Sequence, residues 1–259
     1  MKRLIFLSLV VFLCLPVAVY AASIGGAETQ GKGKVAVGLD NEYIFGKDWK
    51  FKSATVLSAN STIKDIETEK GYYAGMKAAY GLLDNLDVYV RLGAADYEVK
   101  GQIFTGSTPG DKLKFDTDTD FAYGLGLKGT YPLKNDWLLG CDLQYRRSKH
   151  EAEHKSTPVS GAEETTTYKS FVQQEWHIAP YLARKIGSFV PYLGVRYSDA
   201  KLEIKNPASS DFGEVEQEAD DNVGVFLGTD YKMGETCSLN LEGRFIDETA
   251  MSAGISWKF

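Results

Sequence analysis

Residues 251–259 read MSAGISWKF, and apolar side chains occupy every second position of this stretch. Small or polar residues fill the positions between them, so the stretch has the period of two that is typical of a β-strand with one apolar and one polar face. The apolar positions are Met251, Ala253, Ile255, Trp257 and Phe259. The sequence therefore predicts a strand with one face directed at an apolar environment.

The start of the chain has the composition of a secretory signal peptide. Two basic residues precede an apolar run that extends to Val19, and small residues form a cleavage site that ends at Ala21. We therefore expect that residues 1–21 are removed, that residues 22–259 form one domain, and that this domain leaves the cytoplasm.

The predicted mature chain carries 27 basic and 35 acidic residues, a net charge of −8. This excess of acid disfavours a nucleic-acid partner and a basic membrane-surface domain. The two cysteines that remain, Cys141 and Cys237, are too few for a disulfide framework, and we do not expect them to pair. No CxxC pair and no combined cysteine–histidine spacing indicates a metal site, and no cofactor is predicted.

The alternation seen in residues 251–259 recurs in about ten segments of the mature chain. Short links between these segments lie at 81–85, 132–136, 183–188 and 232–236, and long polar links lie at 44–70, 96–120, 147–170 and 199–221. Short turns at one end and long loops at the other are the plan of an outer-membrane β-barrel. We therefore predict an all-β fold, a single closed antiparallel transmembrane barrel of about ten strands (8–12), with periplasmic turns and extracellular loops.

Aromatic residues at the outward-facing positions form two groups. One group lies at the short-turn ends of the segments: Tyr80, Tyr131, Trp137, Phe189, Tyr231, Trp257 and Phe259. The other lies at the opposite ends: Tyr43, Tyr72, Phe121, Tyr145, Trp176, Tyr197 and Phe245. Two such girdles are expected where amphipathic rings meet the two headgroup layers of a bilayer. A soluble β-sandwich or a lipocalin-like barrel, the alternative folds, would have no reason to sort its aromatic residues in this way.

With these features the chain resembles the small outer-membrane β-barrel proteins of Gram-negative bacteria, of the opacity-protein-like and OmpA-like kind. The resemblance covers the signal peptide and the mature chain, and its most specific part is the strand ending ISWKF. It implies that Ile255, Trp257 and Phe259 form the signal read by the outer-membrane insertion machinery. It also implies a position in the bacterial outer membrane, with outer-membrane lipids and lipopolysaccharide as neighbours.

Inward-facing positions of the predicted strands carry charges of both signs. The predicted lumen network comprises Lys77, Asp87, Arg91, Lys128, Asp142, Arg146, Glu175, His177, Arg196, Glu242 and Arg244. One interpretation is a set of ion pairs that fills a narrow barrel, because unpaired charges in a lumen would be costly. The alternative is a narrow, porin-like passage for small solutes. Strand number favours the first, since barrels of about eight strands are filled by their side chains.

No catalytic set is predicted. His150 and His154 lie in HEAEH, which has the spacing of a zinc-binding HExxH helix, but the context is a polar loop after a strand. Asp116, Asp118 and Asp120 resemble the start of a calcium loop, but its glycine and its final glutamate are missing. We therefore interpret them as one row of carboxylates on a strand that extends above the membrane. We therefore expect a non-enzymatic barrel with a structural or surface-interaction role, exerted through long acidic loops toward an extracellular partner that the sequence does not identify. A loop-based enzyme is the weakest alternative.

Overall fold

The computed structural model describes residues 24–54, 61–157, 164–205 and 214–259. The predicted signal peptide and its cleavage site lie outside these residues. The described residues form twelve antiparallel strands of one sheet. The strands are β1 (Val35–Ala54), β2 (Ser61–Leu83), β3 (Leu86–Thr105), β4 (Thr108–Thr117), β5 (Asp120–Pro132), β6 (Trp137–Thr157), β7 (Glu164–Arg184), β8 (Phe189–Lys205), β9 (Val215–Ala219), β10 (Val223–Met233), β11 (Cys237–Phe245) and β12 (Thr249–Lys258). None of the described residues forms a helix that is long and apolar enough to cross a membrane.

Ten of these strands pair in a cycle near the short connections. The order of pairing is β1, β2, β3, β5, β6, β7, β8, β10, β11 and β12, and β12 pairs with β1 again. The last pairing sets Trp257 opposite Val37 and Ile255 opposite Leu39. The described strands number twelve, where about ten were predicted, because β4–β5 and β9–β10 are each one crossing interrupted by two or three residues.

A narrower cycle of eight strands lies beyond the first, toward the long connections. There β4 takes the place of β5, and β9 pairs with both β8 and β1. The hairpin β11–β12 is bypassed, since it ends in the turn at residues 246–248. We call the part of the sheet that is formed by this eight-strand cycle the extension. The long links predicted as loops are therefore largely strand, and the prediction of long loops was wrong in this respect.

Apolar residues change faces between the two parts of the sheet. In β8, Leu193, Val195 and Tyr197 point outward and are exposed, whereas Leu202 and Ile204 in the extension point inward and are fully buried. Polar residues occupy the outward positions of the extension, as a surface in water requires. The alternation of period two thus continues into the extension, but there the apolar residues face inward and the polar residues face outward. For this reason the sequence pattern did not predict that the membrane-crossing strands continue into these segments.

The interior of the extension is filled by buried apolar side chains, which we call the apolar layer. Its main members are Trp49, Ile63, Val99, Leu113, Phe115, Tyr168, Phe171, Leu202, Ile204 and Val215. Several of its rings are in contact: Phe115 and Tyr168 have centroids 5.7 Å apart, and Tyr97 and Phe171 have centroids 6.3 Å apart. The extension therefore has the core of a small water-soluble barrel.

Candidate functional site: the lumen

The N-terminal segment, residues 24–34, enters the lumen at the end where the short connections lie. Ile24 is 2% exposed and Ala27 is fully buried. Gly26 has a φ of +98°, which glycine adopts without strain and which turns the segment within the lumen. This short run of small residues has no periodicity, so the sequence analysis assigned it no role.

Carboxylates of the lumen hold this segment through its backbone amides. The amides donate to three side chains: Ala27 to Asp230 (2.7 Å), Ile24 to Glu242 (3.3 Å) and Gln30 to both oxygens of Asp87 (2.9 and 3.1 Å). Asp230 is also fixed from the other side, because the amide of Asn240 donates to it at 2.7 Å. Two residues of the predicted lumen network, Asp87 and Glu242, therefore bind the N-terminal segment.

Cationic and phenolic groups bind the carbonyls of the same segment. Lys77 Nζ donates to the carbonyl of Ile24 at 3.1 Å, and Lys128 Nζ donates to the carbonyls of Ile24 and Gly26. The hydroxyl of Tyr181 donates to the carbonyl of Ala27 at 3.1 Å. Buried backbone groups that would otherwise lack partners are thus satisfied by side chains from several strands, and the segment is part of the folded interior.

A layer of paired charges crosses the lumen between the N-terminal segment and the apolar layer. We call it the charge layer; it comprises Asp40, Glu42, Lys47, Arg91, Arg146, Glu175, Arg196, Arg244, Asp247 and Glu248. All but Arg146 are at most 9% exposed. Five of its members were predicted from inward parity: Arg91, Arg146, Glu175, Arg196 and Arg244.

The ion pairs of the charge layer form a continuous chain from one wall to the other. Arg91 Nη2 lies 2.7 Å from Asp40 Oδ1, and Arg146 pairs with Glu42 and, at 3.2 Å, with Glu175. The chain continues from Glu175 to Lys47 at 3.0 Å, and from Lys47 to Glu248 at 3.3 Å. Because each member has a partner of opposite sign, the cost of burying the charges is offset by mutual attraction.

The turn at residues 246–248 directs two carboxylates into this layer. Arg196 Nε donates to Asp247 Oδ2 at 2.9 Å, and Arg196 Nη2 donates to Glu248 Oε1 at 2.9 Å. Arg244 Nη2 lies 2.5 Å from the same oxygen of Glu248. Ile246, with a φ of +86°, points outward and is 66% exposed. The short final hairpin thus ends in the wall of the barrel, and the two carboxylates of its turn reach into the lumen.

Asp142 and His177, both predicted, lie together on neighbouring strands. His177 Nε2 is 3.3 Å from Asp142 Oδ1, and the hydroxyl of Tyr89 donates to the same oxygen at 2.8 Å. Asp142 is fully buried and His177 is 1% exposed. The other ring nitrogen of His177, Nδ1, lies 3.9 Å from Glu175 Oε1, so this buried pair adjoins the charge layer.

The sequence analysis missed five members of the charge layer: Asp40, Glu42, Lys47, Asp247 and Glu248. Asp40 and Glu42 continue the inward parity of β1, so extending that strand by two more alternations would have found them. Lys47 escapes this rule because the register shifts between Ile44 and Gly46, which moves position 47 to the inward face. Asp247 and Glu248 lie on a turn, where parity has no meaning.

The outward surface around the charge layer is apolar. The fourteen residues of the two predicted girdles are all exposed or half-buried, and Phe259 is 77% exposed. Ile255, Trp257 and Phe259 lie at the end of the final strand, where the amide of Phe259 donates to the carbonyl of Val35 at 2.8 Å. Cys141 and Cys237 are both free thiols.

The HEAEH sequence lies in strand β6, so the prediction of a loop was wrong here. The side chain of His150 is buried in the extension, 5.3 Å from the ring of Tyr97 and 6.1 Å from that of Phe171. The side chain of His154 lies outside the described residues. Among the described residues, no group of three or more His, Cys, Asp and Glu side chains is arranged to hold a metal ion.

His150 is expected to make the extension sensitive to acid. Burial lowers the pKa of His150 from 6.5. Two effects raise this pKa and offset the lowering only in part: the hydrogen bond between Nδ1 and the carbonyl of Asp118, and the negative charges of the nearby Asp120 and Asp96. The unfolded state therefore takes up the proton first as the pH falls, and the stability that is complete above about pH 6.5 declines below it.

This expectation is checked by urea unfolding at pH 7.5 and 5.5, with limited proteolysis as the readout of unfolding in the extension. His150→Gln, which does not titrate in this range, should lose part of the pH dependence. Equal pH dependence in the wild type and in His150→Gln would show that carboxylates, and not His150, are responsible.

No protein-family model matches the chain. Among curated proteins, it is 22% identical over 215 residues to the major outer membrane porin of Chlamydia psittaci, an alignment that covers 71% of this chain and 52% of the porin. It is 21% identical over 268 residues to the serovar L1 major outer membrane porin of Chlamydia trachomatis, covering 70% of this chain and 68% of the porin. The chain thus spans about half of the length of the first relative and two thirds of the second.

Among solved structures, the outer membrane protease OmpT from Escherichia coli aligns with 92% of this chain and 100% of its own, with 10% identity and a TM-score of 0.49. The curated relatives are outer-membrane proteins, and the apolar outward face of the ten-strand cycle carries aromatic residues at both edges. The chain is therefore an integral β-barrel protein of the bacterial outer membrane.

Proposed function

We propose that this protein is a closed, sealed barrel with a structural or surface-interaction role and no catalytic activity. In this proposal the short connections lie in the periplasm and the extension projects from the cell surface, as in outer-membrane barrels generally. Ile255, Trp257 and Phe259 act during biogenesis as the signal for the insertion machinery. The extension is the part available to an extracellular partner.

The observation that carries this proposal is the N-terminal segment inside the lumen, backed by the charge layer and the apolar layer. The segment is bound through both its amides and its carbonyls by side chains of different strands. Above it, the charge layer connects opposite walls, and above that the apolar layer excludes water. A continuous column of water would have to displace all three, each of which is stabilised by contacts across the lumen.

The outward face of the extension supports a role at the surface. It carries ion pairs between neighbouring strands, for example Lys70 with Glu98 at 3.2 Å and Glu98 with Lys114 at 3.1 Å. Several acidic residues of the predicted loop 199–221 also have partners; Asp220, for example, lies 2.5 Å from Lys50. This face is charged but mixed in sign, so it suits a surface in contact with water.

A sealed lumen predicts that the refolded protein is silent in a planar lipid bilayer. Folding is first verified by the change of gel mobility on boiling, and the current is then recorded in 1 M salt (roughly a 3 Å Debye length). We expect no reproducible conductance steps. Steps that change in size on Arg91→Ala or Arg146→Ala would place water beside these side chains and would contradict the proposal.

A narrow channel for small solutes is the second candidate. It is favoured by the similarity to proteins named as porins and by two open volumes at the turn end of the lumen. One, of about 60 Å³, lies beside Lys77, Asp87 and Lys128, and the other, of about 150 Å³, lies beside Glu28 and Lys232. The same recordings decide between the candidates, and a variant without residues 24–34 shows whether this segment alone blocks the current.

A further inference from the structure

Two rows of side chains run across β6, β7 and β8 on the outward face, at the edge of the extension. In the lower row, Tyr145 lies opposite Trp176, and Trp176 lies opposite Asp199. The ring of Trp176 also contacts Tyr197 of the next row toward the membrane, with centroids 5.6 Å apart. The upper row is polar, because Arg147 lies opposite Gln174 and Gln174 lies opposite Lys201. Cations thus lie one row above the aromatic belt that marks the membrane interface.

These cations differ from several lysines on the same surface that are paired with carboxylates. Lys50, Lys70 and Lys114 each have a carboxylate partner within 3.2 Å. Arg147 and Lys201, as well as Lys149 two residues further along β6, form no ion pair with any residue that the structure describes. A basic patch without internal partners is thus available to an external anion.

A cleft of about 170 Å³ opens between the two rows. Its walls are formed by Tyr145, Gln174, Glu175, Trp176, Asp199 and Lys201. Trp176 Nε1 donates to Asp199 Oδ2 at 3.2 Å, which fixes the indole at the wall of the cleft. The site therefore offers apolar ring surface on its membrane side and positive charge on its water side.

We propose that this face of β6–β8 binds lipopolysaccharide, with phosphates of its lipid A at Arg147 and Lys201 and acyl chains along Tyr145 and Trp176. The two cations stand on strands separated by β7, a span of roughly 10 Å from the strand spacing. A saccharide with two phosphates matches that span better than a phospholipid with one. Asp199 beside Lys201 opposes the phosphate unless a divalent cation joins them.

This inference rests on the proposed orientation, in which the extension faces the outer leaflet. That orientation is tested separately. In a background with Cys141 and Cys237 replaced by serine, Lys205→Cys, near the end of β8, should react with a membrane-impermeant maleimide on intact cells. Labelling only after lysis would overturn the orientation. A failure of the lipid A binding test would instead overturn the site.

The binding test uses the refolded protein in detergent micelles, with purified bisphosphorylated lipid A as the probe and native mass spectrometry as the readout. Arg147→Gln with Lys201→Gln should weaken the Kd about thirtyfold, given two cations near the interface. Lys50→Gln with Lys52→Gln removes the same charge from β1, where both lysines have partners, and should leave the Kd near the wild-type value. In EDTA, which removes divalent cations, Asp199→Asn should tighten the binding of lipid A, because the carboxylate that opposes the phosphate is gone.

Three results would overturn the proposal. Unchanged binding of lipid A to the Arg147/Lys201 double variant would show that these cations take no part. An equal loss in the Lys50/Lys52 control would show that only net charge matters. Binding of phosphatidylglycerol or of dephosphorylated lipid A as tightly as bisphosphorylated lipid A would exclude specific recognition of the two phosphates.

Discussion

Replacing Arg196 by methionine is expected to lower the free energy of unfolding by about 3–5 kcal/mol, because it leaves buried carboxylates without their cation. Arg196 is 2% exposed and binds Asp247 and Glu248 at 2.9 Å, with Glu175 at 3.6 Å. Methionine fills a similar volume without the charge. The loss of stability is measured by urea unfolding in detergent micelles, with tryptophan fluorescence as the readout.

Lys205→Met provides the matched control for Arg196→Met. Lys205 pairs with Glu203 at 3.3 Å, but its side chain is 46% exposed, and exposed pairs contribute about 0–1 kcal/mol. If both variants lost the same small amount, the charge layer would contribute little to stability. A loss confined to Arg196→Met would show that the final hairpin is held by its inward-turned carboxylates.

Phe171→Ala is expected to destabilise the extension by about 3–5 kcal/mol, the usual cost of a large cavity in a packed core. Phe171 is fully buried in the apolar layer, where its ring lies 6.3 Å from that of Tyr97 and 6.1 Å from that of His150. The ten-strand cycle lies outside this layer, so it should stay folded. The expected result is faster amide exchange and proteolysis in the extension, with the gel mobility shift on boiling retained.

The control for Phe171→Ala is the same change at an outward position. Phe245 is 43% exposed at the edge of the membrane-facing surface, so Phe245→Ala removes contacts with lipid or detergent and leaves no internal cavity. Similar exchange rates in the two variants would contradict the assignment of the apolar layer as a core. Loss of the mobility shift in Phe171→Ala would show that the two parts of the sheet unfold together.

The membrane-facing strands were predictable because lipid imposes one rule on every outward side chain. Leu193 and Val195 are apolar and exposed, and the inward neighbour Arg196 is buried and paired, as a period of two across a bilayer requires. The final pairing of β12 with β1 follows from the same alternation in both strands. Apart from a strand that was expected to extend above the membrane at residues 116–120, the extension was not predicted, because water outside the sheet reverses which face is apolar.

The sequence by itself determined the class of fold, the apolar outer face and most of the charged lumen, since these depend on side-chain parity along single strands. Only the tertiary structure decided what fills the lumen. The bulge after Ile44 turns Lys47 inward, a turn directs Asp247 and Glu248 to Arg196, and an aperiodic segment places Ala27 against Asp230. The two contacts join residues distant in sequence, and the bulge is defined by the pairing of β1 with β12, so no local pattern encodes any of these features.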